Sequence, residues 1–125
     1  MGNKLPENIK IGTFGELLVQ LRLLEFGVQA APPLKDTGND LIAGRGETFR
    51  SVQVKTCLGG RPQVKKLPPH WHILSLVRLE FDDGGLALDR SEINLISRAE
   101  YEKNGSLKNL SRFRISQARV DALFR

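Results

Sequence analysis

Asn39-Asp40-Leu41-Ile42-Ala43-Gly44-Arg45-Gly46-Glu47-Thr48-Phe49-Arg50-Ser51-Val52-Gln53-Val54-Lys55-Thr56-Cys57-Leu58 is the stretch that decides the fold. Residues 41–43 are apolar, residues 44–47 carry two glycines and a charge pair, and residues 49–58 are rich in Val. That order predicts two antiparallel strands joined by a hairpin turn. Alternate side chains of a strand share a face. Phe49, Ser51, Gln53, Lys55 and Cys57 therefore point one way, and Arg50, Val52, Val54, Thr56 and Leu58 the other. Val52, Val54 and Leu58 want a core, which leaves Gln53 and Lys55 side by side on a polar face of the best strand in the chain. Burying an amide or an ammonium without partners is costly, so this placement calls for a local explanation. Asp40 stands where the chain leaves the Gly38-Asn39 turn and enters the first strand. A carboxylate, an amide oxygen and an ammonium group can then converge at one end of the hairpin.

Upstream, Ile11, Phe14, Leu17, Leu18, Leu21 and Leu24 recur at three- and four-residue steps. They predict an amphipathic helix over residues 11–26, entered through Pro6-Glu7-Asn8, stopped by Gly27, with that apolar set facing the core. Residues 28–31 are a short strand candidate, and residues 35–39 a turn. Downstream, residues 59–62 break the chain into a basic loop. Residues 71–81 form a second apolar run, read with the Asp82-Asp83-Gly84-Gly85 turn and Leu86-Ala87-Leu88 as another hairpin. Residues 93–96 fit a strand or a helix start. Residues 97–103 and 116–124 look helical, with Asn104-Gly105-Ser106 between them. Helix, strands, then helices make a single α/β domain over residues 1–125.

Composition narrows the partners. The chain has 125 residues, 40% hydrophobic and 26% charged, within the range of a globular domain with one core. A single cysteine, Cys57, excludes an internal disulfide and a cysteine-built zinc site. The first residues carry no apolar signal segment and no apolar run is long enough to span a membrane, so a cytoplasmic setting is expected. The formal charge is +5, from 19 Lys and Arg against 14 Asp and Glu. Residues 55–66 hold four basic residues (Lys55, Arg61, Lys65, Lys66) and no acid, and residues 98–125 hold seven against three acids. Two basic clusters suit an extended polyanion, since each cation placed on a phosphate releases condensed counterions.

Asn39-Asp40 followed after a hairpin by Val52-Gln53-Val54-Lys55 resembles the catalytic hairpin of the PD-(D/E)xK nuclease superfamily, in a Gln-x-Lys form similar to that of some homing endonucleases. Gly12-Thr13-Phe14-Gly15-Glu16 resembles the glutamate-bearing helix that precedes it in small Holliday-junction-resolvase-like enzymes. The resemblance covers residues 11–55. It implies a restriction-endonuclease-like mixed sheet flanked by helices, and a metal-dependent endonuclease hydrolysing DNA phosphodiester bonds. Glu16, Asp40, Gln53 and Lys55 are the implied catalytic set. Asp40, Gln53, the Val54 carbonyl and Glu16 are the implied ligands of Mg2+, for which Mn2+ would substitute. Arg61, Lys65 and Lys66 would hold DNA outside the catalytic centre, and a homodimer would address two strands. Asn39 replaces the family's Pro, and Gln53 keeps a carbonyl oxygen while removing a negative charge. That lost charge leaves two alternatives open: a nuclease-fold protein that binds nucleic acid without cutting, and a protein-interaction subunit.

Several residues have duller readings. Thr13-x-x-Glu16 fits a capping box, though the apolar periodicity begins before it. His70 and His72 fit a strand entry better than a metal pair, Asp82-Asp83 fits a turn, and Tyr101 and Phe113 fit core packing. Cys57 has no base nearby to make it a nucleophile.

Overall fold

The computed structural model describes residues 7–35, 38–104 and 107–125, the side chain of Asn104 excepted. The expected helix entry at Pro6, the Asp36-Thr37 half of the turn and the Gly105-Ser106 connection lie outside the described residues. Helix α1 (Glu7–Glu25) is followed by strands β1 (Gln29–Ala31), β2 (Leu41–Arg45), β3 (Thr48–Leu58), β4 (Ile73–Leu79), β5 (Phe81–Asp82), β6 (Gly85–Leu86) and β7 (Glu92–Ser97). Helix α2 (Arg98–Asn104), a 3-10 turn (Leu110–Phe113) and helix α3 (Gln117–Leu123) complete the chain. Five strands form one mixed sheet in the order β1-β2-β3-β4-β7, flanked by helices, which is the α/β architecture the sequence predicts.

The β2–β3 hairpin is antiparallel, with Arg45 opposite Thr48, so Gly46 and Glu47 alone make the loop. Gly46 has φ +61°, a conformation glycine adopts without steric cost. β3 then runs parallel to β4, from Val52 opposite Ile73 to Leu58 opposite Leu79. β4 is buried at every position except Arg78, as a central strand covered on both faces must be. The second hairpin differs from its sequence reading. β4 pairs with β3 and β7, and only the two-residue strands β5 and β6 fold back on each other. Residues 93–96 belong to an edge strand.

Each face of the sheet has its own core. On one face, Leu18, Val19 and Leu23 of α1 pack with Val52, Val54, Val77, Leu79, Ile93, Leu95 and, from the C-terminal segment, Val120 and Phe124. On the other, Trp71, Leu74, Leu76, Ile96 and Phe113 gather Val64 and Leu67 from the 59–72 connection and Tyr101 from α2. Tyr101 meets Trp71 edge-on at 5.5 Å, so Tyr101 and Phe113 are core residues. His72 enters β4 with its Nδ1 accepting the Ser51 amide at 2.9 Å, a strand-entry role.

Helix α1 departs from the predicted amphipathic pattern. Its buried positions are Gly15, Leu18, Val19 and Leu23, whereas Leu17, Leu21 and Leu24 face outward. Because apolar residues occur all round this helix, periodicity could not choose the inner face. Thr13 sits well inside the helix, which is already formed at Glu7, so it is not a cap. The helix ends at Gly27 (φ +84°), where the Gly27 and Val28 amides reach back to the Leu24 and Leu23 carbonyls.

A part-buried ion pair locks α3 to the sheet. The Arg119 guanidinium donates to both Glu100 oxygens and to the Leu95 carbonyl, each at 2.9 Å. Arg119 thereby holds the Glu100 carboxyl down from its ordinary 4.5 to about 2. A depressed carboxyl stabilises the fold above its unfolded value and loses that contribution as pH falls toward the folded value. Thermal unfolding should therefore show stability declining between pH 4.5 and 2. Glu100→Gln should flatten that segment and cost about 1–2 kcal/mol at neutral pH. A wild-type profile already flat there would remove this pair from the stability account.

Candidate active site

β2 begins at Leu41, opposite Val52, but β3 continues six residues further, to Leu58. Beyond Val52 the β2 side of β3 is an open edge. The alternation of the ladder fixes what that edge presents. The Val52 carbonyl accepts the Asp40 amide on the β2 side, whereas the Ser51 carbonyl accepts the His72 amide on the β4 side. Residue 54 repeats residue 52, so its amide and carbonyl point to the open edge. The Val54 amide is taken by the Asp40 side chain, Oδ2, at 2.8 Å. Asp40 is the first residue off the sheet, and its carboxylate replaces the strand carbonyl that would have continued the ladder. The Val54 carbonyl keeps its outward direction with no strand beside it.

Helix α1 passes over this edge. A Cβ on Gly15 would run into the Thr56 side chain, so glycine sets how closely the helix approaches β3. The next residue, Glu16, consequently reaches the same place as Asp40. Together Asn8, Ile11, Gly12, Glu16, Asp40 and residues 54–58 line a cavity of about 380 Å³. Burial pushes the Glu16 carboxyl up from the ordinary carboxylate range, and the nearby Asp40 charge pushes it further. Thr56 Oγ1, in the wall of this cavity, is buried and makes no hydrogen bond within the protein.

Three of the four residues singled out from sequence as the catalytic set, Glu16, Asp40 and Lys55, therefore line one cavity, with Val54 beside them. Gln53 does not line it. Its side chain is 3% exposed, and Nε2 donates to the Gly38 carbonyl at 2.6 Å and to Asn39 Oδ1 at 3.1 Å. The amide nitrogen is committed to the turn that carries Asp40. Arg61, Lys65 and Lys66 are exposed on the 59–72 connection and are absent from the cavity wall. Lys66 has φ +54°, a sparsely populated backbone conformation for a non-glycine residue. Burial pushes the Cys57 thiol up, against a nucleophilic role.

Asn8 and Thr56 are wall residues that the sequence reading passed over. Asn8 had a signal: positions 8, 12 and 16 are four apart and share one stripe of α1.

The donor set suits a hard divalent cation. Two carboxylates face a partly buried site at the outward Val54 carbonyl, and oxygen ligands of this kind are what Mg2+ takes. Among the described residues no three His, Cys, Asp or Glu side chains converge, so backbone oxygen and water would complete the shell.

No family model matches the chain, and no curated protein sequence matches it. Among solved structures the chain is similar to that of a bacterial homing endonuclease, I-Ssp6803I, with a TM-score of 0.63. The likeness covers 95% of this chain and 93% of that one at 14% identity. Nearly the whole chain, including the half for which the sequence offered only an order of elements, thus shares its fold with that endonuclease.

Proposed function

We propose that the chain is a metal-dependent endonuclease that hydrolyses DNA phosphodiester bonds. The observation that carries this reading is the meeting of Glu16, Asp40 and Lys55 in one cavity at the open edge of β3. Asp40, the Val54 carbonyl and Glu16 would hold Mg2+ or Mn2+, and Gln53 Oε1 is the one end of that amide still able to serve as an acceptor. When bound, the ion supplies charge neutralisation at the attacked phosphate and acidifies its water. Lys55, in the wall of the same cavity, would bring an ammonium to that centre, where it would orient the incoming water or balance charge on the phosphate oxygens. The Val54 amide holds one Asp40 oxygen at 2.8 Å and so restrains the carboxylate at this edge. Arg61, Lys65 and Lys66 would hold flanking phosphates. The endonuclease likeness of the fold supports the reading, as does the net charge of +5. No described helix is long and apolar enough to cross a membrane, and a cytoplasmic homodimer is the form we propose.

The rival is a protein that binds nucleic acid without cutting it, favoured by the neutral residue at 53. Supercoiled and branched DNA incubated with Mg2+ or Mn2+ should yield nicked and linear products, and EDTA should abolish them. Lys55→Ala should lower the cleavage rate about a hundredfold while retaining most of the gel retardation. DNA that is retarded but uncut at every metal concentration would establish the binding module instead. No retardation even at low salt would point to the protein-interaction subunit.

A further inference from the structure

The Gly38-Asn39 turn that delivers Asp40 to the edge of β3 is gripped from two sides. From within the sheet, the buried Gln53 amide donates to the Gly38 carbonyl and to Asn39 Oδ1, at 2.6 and 3.1 Å. From outside, the last part of the 59–72 connection closes on the same two residues. Pro68 backs onto Gly38, where a Cβ would stand 3.3 Å from it. Asn39 Nδ2 donates to the His70 carbonyl at 3.0 Å, across 31 residues of chain. The Asn39 side chain therefore uses both of its ends, one on the sheet and one on the connection. That part of the connection is itself fastened. Arg98, the first residue of α2, donates to the Pro69 carbonyl at 2.7 Å and lays its guanidinium over the Trp71 ring at 5.2 Å. Trp71 is buried in the second core. A continuous line of contacts thus runs from α2 through residues 69–71 and Asn39 to Asp40.

We propose that Asn39 is a positioning residue, through which the 59–72 connection sets the place of the Asp40 carboxylate. The purpose of this arrangement rests on the nuclease reading; its geometry does not. Asp40 is held by its amide on the Val52 carbonyl and by its Oδ2 on the Val54 amide. Both of those holds lie on β3, and neither relates the carboxylate to the connection. Asn39 supplies that relation. A short amide is the side chain that can do so, since aspartate has no donor for the His70 carbonyl and alanine has neither group. Lys65 and Lys66 stand on the same connection, shortly before Pro68. Phosphates held there would then lie at a set reach from the edge where Asp40 stands. Hydrolysis is sensitive to such register, because a misplacement of about 1 Å can cost a hundredfold in rate.

Amide hydrogen exchange measured by NMR on the full chain, without DNA or metal, tests the geometry. The Val54 amide reports the hold on Asp40, because Asp40 Oδ2 is its acceptor. The Ala87 amide, bonded to the Glu80 carbonyl at 2.8 Å, is the control. Asn39→Ala should speed Val54 exchange about tenfold and leave Ala87 unchanged. Arg98→Ala should speed it about threefold by loosening residues 69–71. The double variant should exchange no faster than Asn39→Ala alone, since both changes break one line of contacts. Unchanged Val54 exchange in Asn39→Ala overturns the proposal. So does acceleration shared equally by Ala87, which would mean general loosening, or two effects that simply multiply. In cleavage assays, Asn39→Ala should lower kcat about tenfold, while the dissociation constant for a DNA duplex in EDTA stays within about twofold of wild type. Lost affinity with unchanged kcat would make Asn39 a binding residue and overturn the proposal too. A wild type that shows the exchange pattern but does not cut would refute the nuclease reading and leave the positioning role standing.

Discussion

Asp40→Asn is expected to lower metal-dependent DNA cleavage by roughly a thousandfold or more while leaving the fold almost untouched. The asymmetry follows from the two jobs of this carboxylate. One oxygen accepts the Val54 amide and closes the ladder where β2 leaves off. Asparagine retains a carbonyl oxygen of the same reach, so that bond survives and stability should change by less than about 1 kcal/mol. The other job is charge, which asparagine cannot perform. A cation held by Glu16 and a backbone carbonyl alone loses most of its attraction to the site. Removing a negative group beside the phosphate path should also tighten DNA binding several-fold in EDTA, where no ion offsets the repulsion. Parallel measurements of melting temperature, gel retardation in EDTA and plasmid cleavage in Mg2+ test all three. Full cleavage by Asp40→Asn would remove Asp40 from the catalytic set and with it the proposed mechanism.

The sequence exposed the hairpin and hid the helix, for physical reasons. β3 alternates because one face meets the α1 core and the other carries Gln53, Lys55 and Cys57, so period two survives in the residues themselves. α1 has apolar residues on both sides, and a periodicity count over Leu17, Leu18, Leu21 and Leu24 could not tell an inner face from an outer one. The long 71–81 run suggests a hairpin because its true partners, β3 before it and β7 after it, are separated from it in sequence, and a parallel neighbour leaves no local turn signal. At the candidate site, type and spacing singled out Asp40, Lys55 and Glu16, which line one cavity. They could not disclose that β2 starts six residues short of the end of β3, and this offset creates the open edge on which the cavity forms. Nor could they show which end of the Gln53 amide is engaged.

That last point separates two accounts of position 53. If glutamine merely stands in for the acid of the family pattern, Gln53→Glu should restore a ligand charge and speed cleavage. The geometry argues the reverse. Nε2 lies 2.6 Å from the Gly38 carbonyl and 3.1 Å from Asn39 Oδ1, both acceptors. A carboxylate in that place sets oxygen against two oxygens at a position 3% exposed, where water cannot relieve it. The expected cost is about 2–4 kcal/mol, a fall in melting temperature of roughly 10 °C or more, with slower cleavage because the turn bearing Asp40 is displaced. The sign of the pH dependence is a further check. Facing acceptors, the new carboxyl is favoured in its protonated form, which can donate to one of them. Its folded pKa is thus raised, and the deficit relative to wild type should be small in acid and widen as pH rises past the ordinary carboxylate range. Gln53→Ala loses the two bonds without creating the repulsion, so it should fall between wild type and Gln53→Glu at neutral pH. A Gln53→Glu chain that is as stable as wild type and cuts faster would show that residue 53 serves the reaction through its oxygen alone, and that the tether to the Gly38-Asn39 turn is dispensable.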